Sequence, residues 1–294
     1  MIHSKHAPFA GGSKRCVVAV HGSLSSGRLW ARLADELGAN YRMIAPDVSG
    51  YGGNRDSIIL PERLAGEVAL LAEHIGQIEG PFHLVGHSYG GAIAFKIATS
   101  SRFASRVRSL TLIEPVLPTL LAESAADRRL HELFAQLARQ LYDDLSKGLA
   151  MEAIDKFTAY WNGSGPGEKL SPEARLRMIE QAGKLAFDFR AVLAEKNVTV
   201  AAAAIRVPTL LFSGGLSPYL TQRIVGRLAS LIAGVDARHL PAAGHMMALS
   251  HAKLINPEIA RHIARADDRA EVSPASGLEA IRGERTREME RAQK

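Results

Sequence analysis

The sequence lacks several features that would each point to a particular class of protein. It has one cysteine, Cys16, in 294 residues, so an intrachain disulfide is impossible. No apolar run reaches membrane-spanning length, and residues 1–6 show no hydrophobic segment of the kind that signal peptides carry. Together these absences favour a protein of the reducing cytoplasm.

Signs of nucleic-acid binding and of a bound cofactor are missing as well. The net charge is +6, but Arg and Lys form no stripe of the kind that binds nucleic acid. The chain contains no zinc-type cluster, P-loop or dinucleotide glycine motif. We therefore expect a small-molecule substrate, no nucleic-acid or membrane partner, and no cofactor or metal. The sequence leaves a homodimer open.

The most informative stretch is 82–94, which reads as a short apolar strand, a sharp turn and a helix. Residues 86–90 form a G-x-S-x-G pattern. Such a turn lifts the Ser88 hydroxyl off the strand end and holds the residue in a strained conformation. Because strand and helix nearly touch there, larger side chains would clash at the positions of Gly86 and Gly90. The alternative is a glycine-rich turn whose serine only caps the helix.

Strands and helices alternate regularly through the first part of the chain. Apolar strands with short connections and intervening helices predict a parallel sheet covered on both faces. The alternation then gives way to a long stretch that is helical throughout, which we interpret as a cap over the strand ends. The predicted organisation is a core of residues 1–115 and 206–264, a helical cap of residues 116–205, and a mobile, charged tail of residues 265–294.

Four features in this order resemble the α/β-hydrolase fold superfamily over about residues 15–264. They are His21-Gly22 after an early strand, the turn at Ser88, a helical insert after the next strand, and Gly244-His245 near the C-terminus. The resemblance implies an α/β fold with a mostly parallel, doubly wound sheet and an inserted helical cap. It says much less about the substrate.

A serine hydroxyl is barely nucleophilic at neutral pH and needs a base. Among the 11 histidines, His245 is our candidate, because its loop lies beside the serine turn in the fold that the sequence resembles. His21 and His87 sit in tight turns that fix their direction. We expect a structural hydrogen bond for His21 and a lining or structural role for His87.

The acid that orients the base is not in the commonest place for this superfamily. That place, the loop after the penultimate strand, holds Ser217, which cannot supply a negative charge. Glu114 ends the strand that follows the serine turn, and certain haloalkane dehalogenases of the superfamily carry their acid there. A carboxylate at the end of an apolar strand would be costly without a partner. Asp236, just before the last strand, is the second candidate.

Attack by Ser88 places negative charge on a carbonyl oxygen, and backbone N–H groups must already point at it. Tyr89, the residue after the nucleophile, supplies one of these donors. By resemblance, the second comes from Ser23, with Leu24 beside it. The expected substrate contacts are Leu24, His87 and Trp161.

The sequence thus predicts a serine hydrolase that cleaves a small to medium, mainly apolar carboxylic ester or related acyl compound through an acyl-enzyme. A serine at the turn argues against epoxide hydrolases and haloalkane dehalogenases, which use aspartate there. Three alternatives stay open. They are a C–C bond hydrolase of the meta-cleavage type, a cofactor-free haloperoxidase or perhydrolase, and a non-catalytic binding protein, which Ser217 at the usual acid position favours.

Overall fold

A single parallel sheet organises the computed structural model, which describes residues 15–162 and 171–270. The sheet has six strands in the order β2-β1-β3-β4-β5-β6, and all neighbouring strands are parallel. The strands are β1 (Arg15–Val20), β2 (Tyr41–Ile44), β3 (Phe82–His87), β4 (Val107–Ile113), β5 (Thr209–Gly214) and β6 (Asp236–Leu240). The predicted fold class is therefore confirmed.

Helices connect the strands and cover the sheet. They are α1 (Ala31–Leu37), α2 (Leu64–Gly76), α3 (Tyr89–Ser100), α4 (Thr119–Ala122), α5 (Arg128–Ser146), α6 (Ala150–Asn162), α7 (Pro172–Glu180), α8 (Gly183–Leu193), α9 (Val198–Ala203), α10 (Tyr219–Leu231), α11 (Met247–Ser250) and α12 (residues 252–270). Across these described ranges, no helix combines the length and the apolar character that crossing a membrane requires.

Each central strand sends alternate side chains into two separate hydrophobic clusters. Val18 and Leu84 join the cluster that includes α2 and α3, whereas Val17 and Val85 join the one that includes α1 and α12. Side chains of a strand point to opposite faces in turn, so a strand that is apolar on both faces needs helices on both sides. Fully burying one such side chain contributes about 1.5–3 kcal/mol.

The segment predicted as a cap lies between β4 and β5, and its described residues form helices α4 to α9 without a strand. Many of its apolar side chains continue the larger cluster of the sheet, and Ile154, Ala182 and Leu185 form a small cluster of their own. Phe134 of α5 and Phe189 of α8 stack with their ring centres 4.9 Å apart. The insert thus packs onto the same hydrophobic cluster as α2 and α3.

The predicted start of the tail at residue 265 is wrong, because α12 continues to residue 270. The physical reason is Asp267, which is fully buried. Its carboxylate accepts hydrogen bonds from Arg108 at 2.8 Å and from the Tyr41 hydroxyl at 2.8 Å, and it lies 3.2 Å from His83 Nε2. These partners draw a charge-rich turn of helix onto the sheet. The remainder of the predicted tail, 271–294, lies outside the described residues.

Candidate active site

Ser88 stands at the turn between β3 and α3 in a strained conformation, with φ 57° and ψ −122°. The two glycines of the motif make the turn possible. A Cβ on Gly90 would lie 2.3 Å from the carbonyl oxygens of Val20 and His21, and one on Gly86 would lie 2.5 Å from the carbonyl oxygen of Gly90. The Ser88 side chain makes no capping hydrogen bond to the helix, so the alternative of a mere capping serine is wrong.

The structure brings Ser88, His245 and Glu114 together in one line of hydrogen bonds. Ser88 Oγ lies 2.9 Å from His245 Nε2, and His245 Nδ1 lies 2.7 Å from Glu114 Oε2. The other carboxylate oxygen, Oε1, accepts the backbone N–H of Gly214 at 2.7 Å. All three side chains are buried, with 8%, 3% and 0% of their surface exposed. Low solvent access strengthens each of these interactions.

Glu114, not Asp236, reaches the candidate base. Glu114 follows β4 with a positive φ of 43°, which turns its side chain toward the end of β5. Asp236 begins β6 and pairs with Arg238 at 2.8 Å. Ser217, at the usual acid position, is buried, and its hydroxyl has no hydrogen-bond partner among the described residues.

His87 contacts the backbone of the loop that carries His245. Its Nε2–H donates to the carbonyl oxygen of His245 at 2.8 Å. Burial, and to a lesser extent the neighbouring imidazole of His245, lowers the pKa of His87 to about 3, so the His87 ring is neutral. Its Nδ1 finds no partner within the described part of the chain. The geometry gives His87 a structural contact, and its predicted contact with substrate stays a prediction.

His21 makes the structural hydrogen bonds that the sequence predicts. Its Nδ1 donates to the carbonyl oxygen of Gly22 at 2.7 Å, and its Nε2 accepts the N–H of Val48 at 2.9 Å. Burial lowers the pKa of His21, which favours this neutral form. The ring therefore anchors the loop that leads to Ser23.

The loop after His21 and the start of α3 flank the Ser88 side chain. A Cβ on Gly22 would lie 3.0 Å from Ser88 Cβ, so the chain before Ser23 passes directly by the serine. Tyr89 is the first residue of α3, and the first N–H groups of a helix have no acceptor within it. The placement thus leaves the backbone N–H groups of Ser23 and Tyr89 as candidate donors to a reacting oxygen.

Trp161, from the insert, covers the candidate base. Its ring lies parallel to that of His245, with 4.2 Å between centres and 21° between planes. Leu24 has a positive φ of 55° and is half-buried against the cluster that contains Trp161. The surroundings of the candidate site are accordingly apolar and aromatic on the side of the insert.

A buried ion cluster beside the site was not predicted from the sequence. Lys184 of α8 donates to Glu67 Oε1 of α2 at 2.7 Å and to Asp188, one turn further along α8. A signal was present, since Glu67 falls on the apolar face of α2 between Leu64 and Leu71. Among the residues that the structure describes, no three His, Cys, Asp or Glu side chains are placed to hold a metal ion.

Known proteins resemble this chain in both sequence and fold. The model of the alpha/beta hydrolase family matches residues 17–258. Lipase LipV of Mycobacterium tuberculosis is 35% identical over 102 residues, which are 34% of this chain and 37% of the lipase. The 2-hydroxy-6-oxo-2,4-heptadienoate hydrolase of Pseudomonas putida is 35% identical over 109 residues, 36% of this chain and 39% of that enzyme.

These sequence matches span less than half the length of either relative. The crystal structure of a bromoperoxidase from Bacillus anthracis superimposes with a TM-score of 0.65, covering 86% of this chain and 93% of that one. At 19% identity this likeness shows the fold alone. The match of the family model extends over most of the chain, from β1 into α12. The chain therefore belongs to the alpha/beta hydrolase family.

Proposed function

We propose that the protein is a serine hydrolase that cleaves a small to medium, mainly apolar carboxylic ester through an acyl-enzyme. The observation that carries the proposal is the line of hydrogen bonds from Ser88 Oγ through His245 to the buried carboxylate of Glu114. A nucleophile, a base and an orienting acid are the three groups that acyl transfer requires. The strained backbone of Ser88 and the glycines around it support the same role.

In the proposed reaction, Ser88 Oγ attacks the carbonyl carbon of the ester while His245 Nε2 takes the hydroxyl proton. Glu114 holds the proton on Nδ1 and stabilises the imidazolium. The backbone N–H groups of Ser23 and Tyr89 donate to the oxyanion of the tetrahedral intermediate. The intermediate collapses when the C–O bond to the alcohol breaks and His245 returns the proton to the leaving oxygen.

The acyl-enzyme is then hydrolysed by the same groups. A water molecule gives a proton to His245 Nε2 while the water oxygen attacks the acyl carbon. The second tetrahedral intermediate that results then collapses to the carboxylic acid. The ester bond to Ser88 Oγ breaks, and the proton returns to that oxygen. The enzyme is restored, and the balance is one water consumed for one acid and one alcohol released.

The apolar substrate class is inferred from the groups around Ser88. Trp161 and Leu24 approach from the side of the insert, where the aromatic rings of Phe134, Phe157 and Phe189 pack against one another. Apolar neighbours of this kind favour an apolar acyl or alkyl group, and one of the relatives is named as a lipase. We place the enzyme in the cytoplasm because its one cysteine, Cys16, allows no intrachain disulfide.

The second candidate is a C–C bond hydrolase, which the match to the Pseudomonas putida enzyme favours. Such an enzyme should offer a polar pocket with a cationic anchor for its substrate. Lys184 is a buried cation near the site, but its ammonium group already binds Glu67 and Asp188. Because that charge is neutralised within the protein, we place ester hydrolysis first.

A fluorophosphonate probe, read by intact mass, tests the proposal. Wild type should gain one adduct, Ser88→Ala none, and the control Ser109→Ala one at the wild-type rate. Ser109 is also a buried serine, but it lies in β4 and binds His83. In parallel, p-nitrophenyl esters from acetate to octanoate and a vinylogous diketone separate the two candidate reactions. Folded wild-type protein that neither gains the adduct nor releases p-nitrophenol would refute the proposal.

A further inference from the structure

The ion cluster of Glu67, Lys184 and Asp188 joins the insert to the core at a point remote from solvent. None of the three side chains is more than 3% exposed. Lys184 and Asp188 come from α8, and Glu67 comes from α2. Burial lowers the pKa of Lys184, but the attraction of Asp188 and Glu67 outweighs it and raises the pKa. The ammonium group is therefore charged and shared between two carboxyl groups.

Ser23 and Tyr89, which supply the proposed oxyanion donors, both hydrogen-bond to this cluster through their side chains. The hydroxyl of Ser23 donates to Asp188 Oδ2 at 2.5 Å, and the hydroxyl of Tyr89 donates to Glu67 Oε1 at 3.1 Å. Lys184 Nζ contacts the carboxyl groups of both acids and lies 5.0 Å from the centre of the Tyr89 ring. The two donors are thus tied, through their own side chains, to one rigid group.

Asp188 is held from several sides, so it is a firm anchor for Ser23. Its Oδ2 accepts the Tyr51 hydroxyl at 2.6 Å in addition to that of Ser23. Its Oδ1 accepts from Lys184. Hydrogen bonds to charged acceptors are about twice as strong as neutral ones. A short, charge-assisted bond to a fixed anchor leaves the Ser23 side chain one orientation.

Stability alone is a weak reason for such a cluster. Apolar residues of similar volume often replace a buried ion group at no loss of stability, or with a gain. What an apolar group cannot do is hold the hydroxyl groups of Ser23 and Tyr89 in fixed directions. A donor must lie about 2.7–3.1 Å from the place where the oxyanion forms, so a small drift of the loop reduces its effect.

From this geometry we propose that Asp188 is a positioning residue for the reaction described above, and that it acts through the Ser23 hydroxyl. The bond holds the loop after Gly22 so that the Ser23 backbone N–H points at the reacting oxygen. Glu67 holds Tyr89 in the corresponding way. The helical insert thereby helps to hold the oxyanion donors in place. This inference rests on the proposed serine-hydrolase function.

Ser23→Ala tests the inference, because it removes the hydroxyl and leaves the backbone N–H in place. Loss of a whole oxyanion donor costs about 100–1,000-fold in kcat. A donor that is present but loosely held should cost about 10-fold, in both kcat for a p-nitrophenyl ester and the rate of fluorophosphonate labelling, and KM should change little. Asp188→Asn, which keeps the shape but weakens the acceptor, should lower kcat in the same manner.

The double variant, Ser23→Ala with Asp188→Asn, tests whether both single variants act through the hydrogen bond between Ser23 and Asp188. If the two side chains act through one contact, the double variant should be no slower than the slower single variant. Ser109→Ala is the matched control, since it removes another buried serine hydrogen bond roughly 16 Å back along β4 from Glu114. It should lower stability and leave kcat and labelling unchanged. Binding of a boronic acid, which imitates the tetrahedral intermediate, should weaken in Ser23→Ala by the factor that kcat falls.

The outcomes separate the two proposals. No labelling of folded wild type refutes the serine-hydrolase function itself. Normal wild-type labelling, with Ser23→Ala as fast as Ser109→Ala, overturns the positioning role alone. Strictly additive losses in the double variant overturn the bond between Ser23 and Asp188 as its route. If Asp188→Asn fails to fold, the kcat and boronic-acid affinity of Ser23→Ala decide.

Discussion

Replacing Glu114 with glutamine removes a charge and almost no volume, and its effect can be worked out from two contacts. The carboxylate accepts two bonds, from Gly214 N–H and from His245 Nδ1. A glutamine offers one oxygen and one NH₂ group. If the oxygen faces Gly214, the NH₂ group faces His245 Nδ1, which must then accept. The ring proton moves to Nε2, and that nitrogen can no longer take the proton of Ser88.

The other orientation of the amide is also unfavourable. It would turn the NH₂ group against the N–H of Gly214 in a fully buried place, and an unsatisfied buried donor costs about 1–3 kcal/mol. The glutamine therefore selects the wrong tautomer of His245. The corresponding change in a serine-protease triad lowers kcat by about 10⁴-fold. We expect a similar loss for Glu114→Gln, which equals about 5 kcal/mol of transition-state stabilisation.

The assay is the rate of fluorophosphonate labelling together with kcat for a p-nitrophenyl ester, each with a thermal melt to establish folding. Asp236→Asn is the matched control. It neutralises the alternative acid, whose carboxylate is partly exposed and pairs with Arg238, so its kcat should equal that of wild type. A folded Glu114→Gln enzyme within 10-fold of wild type, or a large loss in Asp236→Asn, would refute the reasoning.

Three further perturbations test the frame around the site. Gly90→Ala forces a Cβ to within 2.3 Å of two backbone carbonyl oxygens and should lower the free energy of unfolding by about 3 kcal/mol or abolish folding. In its control, Gly226→Ala, the new Cβ meets open space on α10, so the free energy of unfolding should rise by up to about 1 kcal/mol. Urea titration measures both variants, and a Gly90→Ala protein as stable as wild type would contradict the turn geometry. Lys184→Met leaves two carboxyl groups buried without a counterion and should cost about 3–5 kcal/mol in the same titration, whereas an unchanged midpoint would show that the cluster carries no charge. His87 has a pKa of about 3 in the folded protein, so the unfolded chain takes up a proton there as the pH falls through about 6.5, and stability is lost. Between pH 7 and 5 the loss from this group is about 2 kcal/mol; His87→Gln should remove that part of the pH dependence, and an unchanged pH profile would argue that the ring is not buried neutral.

The serine turn was predictable because its residues lie close together in the sequence. Strand, turn and helix follow within 82–94, and two glycines stand where a Cβ would strike backbone. His245 and Glu114 are far from Ser88 along the chain, but each follows a strand of the same parallel sheet. The ends of parallel strands meet at one edge. The sequence pattern therefore placed the candidate site at that edge without a distance being known.

Asp267 shows where the same reasoning failed. Its neighbours at 265–270 are charge-rich, which is typical of a solvated tail. In the structure its carboxylate binds Arg108 on β4 and the hydroxyl of Tyr41 on β2. Neither partner is close to it in sequence, so periodicity could not pair them. Whether a charged residue is buried depends on its partners, and partners that are distant in sequence leave no local pattern.

Glu114 and Glu67 together show when a buried carboxylate can be recognised beforehand. Glu114 ends a strand of apolar residues, where a carboxylate without a partner would be costly, so the sequence favoured a specific partner for it. Glu67 lies on a helix, where a charged residue is usually exposed to solvent. Only its position on the apolar stripe of α2 distinguishes it. Lys184 and Asp188 show the same feature, since they are buried on α8 together with Leu185. The pattern to search for is therefore a charged residue that shares a helical face with buried apolar residues, on each of two helices that pack together. In a sequence, this pattern indicates groups that could position a catalytic loop.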